Sequence, residues 1–227
     1  ASLHGILRDN KELRLSGGHQ EHISFEIASV NGQIRFYVWV PKTLQSFVEG
    51  QIYSQYPTVQ IHQADEDYTE HERDHEVAYS TELTLTTDEF LPIRTFQNFE
   101  VDPLAGITGT LAKLETTGEE LWIQVLVRPI PDDWQNAADR YINSIKNGRM
   151  FSLPGFGGSM QWLIGVLGAL WQPPEQGANQ STAVELSDRD KTRISEAEKK
   201  ATKLGYEVKI RLVYMGESQT NAKLRMQ

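Results

Sequence analysis

The stretch 70–76, with the sequence EHERDHE, carries the pattern in this chain that most closely resembles a catalytic motif. His71, Glu72 and His75 fit the pattern H-E-x-x-H, which on a helix places two histidines on a zinc ion and a glutamate beside the attacking water. A metal-dependent hydrolase that uses these three residues is therefore one hypothesis for this sequence.

The surroundings of this motif favour a solvated loop over a zinc site. A zinc-binding helix of this kind packs beside a buried cleft, whereas here both x positions, Arg73 and Asp74, are charged and both flanking residues are acidic. Residues 62–76 hold seven acidic residues and one arginine, and no apolar stripe accompanies them that could pack a helix against a core. We therefore predict an acidic connection between two strands and keep the metal-dependent hydrolase as the alternative.

Signatures of other enzyme classes are absent from the sequence. The chain has no Gly-Lys pair, and therefore no P-loop for nucleotide phosphates, and it has no G-x-S-x-G motif. The glycine cluster at 155–158 does not lie between a strand and a helix of a βαβ unit, so we interpret it as a hinge. The absence of cysteine excludes disulfides, thiolate zinc sites, iron–sulfur clusters and cysteine nucleophiles. We therefore expect no catalytic residue and no cofactor within these residues.

An apolar run bracketed by two tryptophans, 162–171, is the other unusual feature. As a helix it would reach about 15 Å, half of a hydrocarbon core of about 30 Å, so it does not read as a transmembrane span. It is apolar on all sides, which indicates either a buried core helix or a contact of 160–172 with a membrane surface or a partner protein. The residues that would make such a contact are Trp162, Leu163, Ile164, Val166, Leu167, Leu170 and Trp171.

Residues 1–75 are predicted to form a ββαβ subdomain that ends in the acidic loop. Two segments of alternating apolar residues flank Asn31-Gly32, a pair suited to the positive φ angles of a type I′ turn, and this predicts a β-hairpin. A helix with apolar residues at helical spacing follows at about 44–52. The segment 58–63, TVQIHQ, is predicted to be the third strand.

Residues 76–227 are predicted to form a second α+β subdomain with an apolar insertion, rich in Gly and Pro, at 149–183. Its helices start at capping residues, and its strands show alternation or a continuous apolar run. The predicted elements are a strand from Val77, a helix starting at Asp102-Pro103, a central strand at 119–129, a helix from about Trp134, a helix capped by Ser187 and a strand from Tyr206. The two subdomains predict an α+β fold of ferredoxin-like βαβ units, with mixed or antiparallel sheets and helices packed on one face.

The overall charge bears on the class of partner. The formal net charge is −9, whereas a domain whose surface wraps nucleic acid would be basic. Residues 187–227 are mildly basic, which a helix and a strand with solvated faces explain. We therefore expect no direct binding of nucleic acid.

Several phrases of the sequence together resemble one family. They are ASLHGIL at the start, GQIRFYVWVPKTLQSFVEGQIYSQYPTVQI, LPIRTF, DPLAGITGTLAKL, EELWIQVLVRP and YEVKIRLVYMG. The chain is similar here to the amino-terminal, non-ATPase region of membrane-associated conjugation or type IV secretion ATPases of the HerA–FtsK superfamily. The resemblance covers residues 1–148 and 184–227.

This resemblance implies an organisation around the chain. Membrane-spanning segments would precede it and a motor with a P-loop would follow it, both outside these 227 residues. The chain would then be a non-catalytic accessory domain at the cytoplasmic, inner face of the cell membrane, linking the membrane segments to the motor domain of the same polypeptide. It would contact other subunits of the secretion machinery and belong to an oligomer. A stand-alone oligomerisation or peptide-binding module is a second alternative.

Overall fold

The computed structural model describes residues 2–70, 77–95, 98–114, 118–146 and 186–225. Its strands are β1 (Ile23–Val30), β2 (Gln33–Trp39), β3 (Val77–Leu83), β4 (Glu120–Pro129) and β5 (Tyr206–Gly216). Its α-helices are α1 (Asn10–Leu15), α2 (Gln45–Gln55), α3 (Pro103–Ala112), α4 (Gln135–Lys146), α5 (Asp188–Ala201) and α6 (Gln219–Arg225). Short 3-10 helices occupy Ser2–Ile6, Lys42–Leu44 and Asp132–Trp134.

The five strands form one antiparallel sheet in the order β2-β1-β4-β5-β3. Both β3 and β4 are antiparallel to β5, so they run parallel to each other with β5 between them, and α3 joins them in the chain. This split β–α–β arrangement is the one found in ferredoxin-like folds. The predicted α+β class is therefore confirmed.

Two compact units account for the chain, and their boundary differs from the predicted one. One unit comprises 1–89, 93–132 and 204–227, and the other comprises 90–92 and 133–203. The predicted division between 1–75 and 76–227 is wrong because β1 pairs with β4 over seven residues, which places the amino-terminal hairpin and the later strands in one sheet. Sequence patterns reveal strands, but not which distant strands pair.

The predicted third strand of the amino-terminal region is also wrong. Residues 59–63 have no regular secondary structure, and Val59 is exposed while Ile61 is only partly buried. On β1, both sides are already occupied, by β2 and by β4. The alternation of apolar and polar residues at 59–63 therefore belongs to an extended connection whose apolar side chains are little buried.

The hairpin and the start of α3 follow the local signals in the sequence. Asn31 and Gly32 both have positive φ angles, 51° and 71°, and the ladder between β1 and β2 closes at Val30 and Gln33. At α3, the side chain of Asp102 accepts a hydrogen bond from the Leu104 amide at 2.9 Å, with Pro103 at the first helical position. Both predictions are confirmed.

One face of the sheet, called the apolar face, carries Phe25 and Ile27 of β1 together with Ile123 and Val125 of β4. Directly opposite residues of an antiparallel ladder lie on the same face of the sheet. The register therefore shows which residues of β2, β3 and β5 lie on the apolar face. Helices α3 and α6 cover one end of this face. The buried cluster there contains Leu111, Leu114, Leu121, Tyr214 and Ala222, with Ile27, Ile34 and Ile107 packed against it.

The second unit has its own core between α4 and α5. Ile142, Ile194 and Ala197 are buried in it, and Lys146 Nζ lies 2.8 Å from Glu198 Oε1 at the helix surface. Ser187 caps α5, as predicted, by accepting a hydrogen bond from the amide of Asp190. In the part of the chain that the structure describes, no helix is long and apolar enough to cross a membrane.

Candidate functional site

The sequence-predicted site residues lie outside the described residues. His71, Glu72 and His75 fall within 71–76, and the contact candidates Trp162, Leu163, Ile164, Val166, Leu167, Leu170 and Trp171 fall within 147–185. Their roles therefore stay predictions. Among the residues that the structure describes, there is no group of three or more His, Asp or Glu side chains that could hold a metal ion.

A polar cluster lies on the opposite, polar face of the sheet, which carries Glu26 of β1 and Gln124 of β4. The hydroxyl of Tyr68 donates a hydrogen bond to Glu26 Oε2. Gln124 Nε2 lies 3.0 Å from the Tyr68 hydroxyl and 3.4 Å from Glu26 Oε2. Glu26 and Gln124 are both 8% exposed, so their polar groups are satisfied within the protein.

Aromatic rings enclose this cluster. The ring of Tyr68 stacks on Tyr37 of β2, with centroids 4.6 Å apart, and meets Trp122 of β4 edge-on at 5.0 Å. Trp122 Nε1 donates a hydrogen bond of 3.1 Å to Glu120 Oε2. The chain segment just before the acidic stretch 70–76 is thereby fixed to the centre of the sheet through Tyr68.

The electrostatics of the cluster favour a structural role. Burial, followed by the hydrogen bond to Glu26, raises the pKa of Tyr68, so its phenol keeps its proton across the physiological range. The phenol is then a donor to Glu26, and the carboxylate of Glu26 accepts from both Tyr68 and Gln124. A general base needs a carboxylate aimed at a substrate, whereas this one is aimed at the protein itself.

A second buried carboxylate fastens α6 to the sheet. Glu119, 5% exposed, accepts a hydrogen bond of 2.6 Å from the Tyr214 hydroxyl through Oε1. Its Oε2 lies 2.9 Å from Nη2 and 3.2 Å from Nε of Arg225. Burial and the hydrogen bond to Glu119 raise the pKa of Tyr214 from 10 to about 12. A Cβ on Gly216 would overlap this phenol, so a larger residue there would force the ring of Tyr214 to move.

Away from the end that α3 and α6 cover, the apolar face is incompletely buried. The register aligns Val38, Phe25, Val125, Ile210 and Leu83 in one row across all five strands. The three middle members are only partly buried, whereas Val38 is 38% and Leu83 is 55% exposed. The neighbouring row is Phe36, Ile27, Ile123, Leu212 and Thr81.

These two rows form a continuous apolar patch rather than scattered exposed residues. Phe36, at the β2 end of the second row, is 68% exposed, and Val208 on β5 is 50% exposed on the same face. Continuous apolar patches on a soluble domain mark surfaces that bind other molecules. This apolar patch is the candidate functional surface of the described residues. It is defined by Phe36, Val38, Leu83 and Val208 and the half-buried residues between them.

The sequence prediction missed both the polar cluster and this patch. A signal for the cluster was present, because Glu26 and Gln124 are polar residues in the middle of strongly apolar strands. No local signal identifies Tyr68 as their partner, since 42 residues separate it from Glu26. The patch depends on which strands adjoin and on how far the helices reach, and both are tertiary properties.

Residues 2–227 match a family model described as a domain of unknown function (DUF8128). No curated protein and no solved structure gives a significant match to the chain. The family match spans almost the whole chain, including both compact units.

Proposed function

We propose that this chain, which belongs to the DUF8128 family, is a non-catalytic assembly domain that binds other proteins through the apolar patch on its sheet. The incomplete burial of that patch is the observation that carries the proposal. Two adjoining rows of apolar side chains cross the sheet, and their outer members Phe36 and Leu83 are 68% and 55% exposed.

The polar groups of the described residues support a binding role over catalysis. Two buried carboxylates, Glu26 and Glu119, are each held by donors of the same chain. Both contribute to the sheet: Glu26 fixes the segment around Tyr68, and Glu119 fixes α6. Substitution of one partner in such a buried cluster leaves the other polar group without its hydrogen bond, so it is expected to lower stability.

The resemblance to conjugation and type IV secretion ATPases supports a location for this assembly role. We propose an accessory domain at the cytoplasmic face of the cell membrane, between membrane segments and the motor domain of the same polypeptide. A motor of this kind works as an oligomer of repeated subunits, so its accessory domain needs surfaces for protein contacts rather than a reaction centre. The apolar patch is suited to that need because burial of apolar area drives protein association.

Site-specific photo-cross-linking in cells that make the natural polypeptide tests this proposal. A photoreactive phenylalanine analogue is placed at Val208, which is half exposed within the patch. We expect protein adducts at this position whose mass spectra identify the motor domain or another subunit of a secretion machine. The matched control carries the same analogue at Arg193, an exposed residue of α5. We expect no adduct there.

Each result of this experiment has a meaning for the proposal. Absence of protein adducts at Val208, or equal adducts at Val208 and Arg193, overturns the binding role of the patch. Adducts only with proteins unrelated to secretion retain the binding role and overturn the proposed location. Binding of Mg-ATP by the purified chain at micromolar concentration overturns the non-catalytic role, as does stoichiometric zinc that is lost in a His71→Ala variant.

A further inference from the structure

The edge strand β2 has an unprotected outer side. It lies at one end of the sheet order, and among the described residues no strand pairs with that side. Its seven residues, QIRFYVW, include Phe36, Val38 and Trp39, which are 68%, 38% and 47% exposed. The unpaired amides and carbonyls of such an edge can accept another strand.

Natural edge strands are usually protected by lysines, prolines or bulges, and β2 has none of these. It contains no proline, and Arg35 is its one charged residue. Its ladder with β1 continues without interruption through seven residue pairs, so no bulge twists the edge away. The strand is therefore a regular, largely apolar template for pairing.

The other edge of the sheet is different. On β3, the one charged residue, Glu82, lies 3.3 Å from Lys209 and 3.6 Å from Arg211 of the neighbouring strand β5, so an ionic group lies beside that edge on the polar face. β2 exposes three large apolar side chains, Phe36, Val38 and Trp39, whereas β3 exposes two, Tyr79 and Leu83. The comparison indicates that β2 is the edge suited to pairing, and β3 supplies a matched control within the same sheet.

We propose that β2 pairs in antiparallel orientation with β2 of a second copy of this chain, with the two-fold axis passing at Phe36. Residue 36 is the midpoint of 33–39, so this register pairs all seven residues of both strands. The two sheets would then join into one sheet of ten strands. The pairing joins the backbone edges of the two β2 strands, and Phe36 and Val38 of the apolar patch then lie at the junction between the two copies.

The sequence of β2 is self-complementary in this register. On the apolar face, Phe36 meets Phe36 of the second copy, and Ile34 meets Val38. On the polar face, Arg35 meets Tyr37, a pair that allows a cation–π contact. Aromatic pairs and oppositely charged pairs directly across a ladder stabilise the pairing of two strands, whereas like charges directly across destabilise it.

Other registers of the same strand are worse for identifiable reasons. A shift by one residue places the apolar face of one copy beside the polar face of the other, because side chains alternate along a strand. A shift by two residues in one direction places Arg35 opposite Arg35 and loses two of the seven pairs. The shift in the other direction also loses two pairs. The register centred on Phe36 is the one with full overlap, matched faces and no opposed like charges.

The second copy would also extend the buried cluster of the sheet. Ile34 already packs against the cluster of Leu111 and Leu114 beneath α3. In the proposed pairing, the exposed Val38 of the second copy lies directly across from Ile34. Two such contacts form by symmetry, one at each end of the paired strands.

Single cysteines test the register directly, because the 227-residue chain contains no cysteine of its own. Cα atoms of opposite residues in an antiparallel ladder are about 4.5–5.5 Å apart, within the range of about 4.4–6.8 Å that disulfides span. A Phe36→Cys variant is expected to form a disulfide-linked dimer on mild oxidation. A Gln33→Cys variant is not, because the two copies of residue 33 would lie about 20 Å apart.

A mixture of two variants provides the positive counterpart of that control. Gln33→Cys and Trp39→Cys, each monomeric on a non-reducing gel when oxidised alone, are expected to cross-link when mixed. Cross-linking of Gln33→Cys with itself, or of Leu83→Cys on β3 to the same extent as Phe36→Cys, would overturn the proposed pairing.

Analytical ultracentrifugation measures the association without oxidation. The wild-type chain is expected to show a monomer–dimer equilibrium, and Phe36→Lys is expected to weaken it by about tenfold or more, because it opposes two lysines at the axis. Leu83→Lys, at a residue that is 55% exposed on the other edge strand, is expected to leave the equilibrium unchanged. Circular dichroism of both variants checks that the fold is kept. A wild-type chain that is monomeric at all concentrations up to the millimolar range refutes the proposal.

Discussion

Replacing Tyr214 with phenylalanine is expected to lower the free energy of unfolding and to change how it depends on pH. The hydroxyl of Tyr214 donates a hydrogen bond of 2.6 Å to the buried carboxylate of Glu119, and Tyr214 itself is fully buried. A hydrogen bond to a charged group contributes about 2 kcal/mol, and the carboxylate that remains keeps its contact with Arg225. We therefore expect Tyr214→Phe to lose about 2 kcal/mol at pH 7.

The pH dependence follows from the raised pKa of this phenol. In the unfolded chain it ionises near pH 10, and in the folded protein only near 12, so the unfolded state loses its proton first and stability falls as pH rises through this window. Between pH 9 and pH 11 the wild type is expected to lose about 1.3 kcal/mol through Tyr214 alone. This loss is absent from Tyr214→Phe, so the difference between the two proteins shrinks in alkali.

Urea titrations followed by tryptophan fluorescence at pH 7, 9 and 11 measure this effect. Tyr79→Phe is the matched control, because Tyr79 lies directly opposite Tyr214 in the ladder but is 39% exposed. It is expected to change the free energy of unfolding by less than about 0.5 kcal/mol at neutral pH. If Tyr214→Phe and the wild type differ by the same amount at pH 7 and pH 11, the pKa of the phenol is not raised by its burial and by Glu119, and the reasoning fails.

Two further substitutions test contacts of the sheet. Gly216→Ala is expected to lower the free energy of unfolding by about 1 to 3 kcal/mol through overpacking, because its Cβ would lie 2.6 Å from Cζ of Tyr214. Its control is Gly50→Ala in α2, where the added Cβ meets nothing within 4 Å, and this variant is expected to be neutral or stabilising. Equal thermal melting temperatures for the two variants would contradict this. Tyr68→Phe is expected to lower the free energy of unfolding by about 1 to 2 kcal/mol, since it removes a donor to Glu26, and Tyr56→Phe at a residue 67% exposed serves as its control in urea titrations. Wild-type stability of Tyr68→Phe would show that the Glu26 cluster does not hold its chain segment.

Sequence reasoning succeeded where a signal is local. The Asn31-Gly32 turn, the cap and proline at the start of α3, and the Ser187 cap of α5 each depend on a few adjoining residues. The apolar character of β4 also indicated its central position, and the sheet order places it between β1 and β5. These features can be predicted without knowing which residues distant in the sequence they contact.

It failed where the answer depends on pairing between distant residues. The domain boundary at 75 was wrong because nothing in the hairpin sequence shows that β1 takes β4 as its second neighbour. The strand at 58–63 was wrong because alternation alone does not provide a partner strand. Tyr68 could not be identified as part of a buried cluster for the same reason.

The connection between β4 and β5 has a consequence for how such a chain can change in evolution. These strands are direct neighbours in the sheet, yet residues 133–203, the larger part of the second compact unit, lie between them in the chain. The amide of Ile130 donates a hydrogen bond of 3.1 Å to the carbonyl of Gly205, so the chain leaves the sheet and re-enters it at the same place. In topological terms, residues 131–204 are one long hairpin loop that contributes most of a compact unit, and residues 90–92 complete that unit from another connection. At such a position the inserted residues can be lengthened, shortened or exchanged without altering the register of any strand.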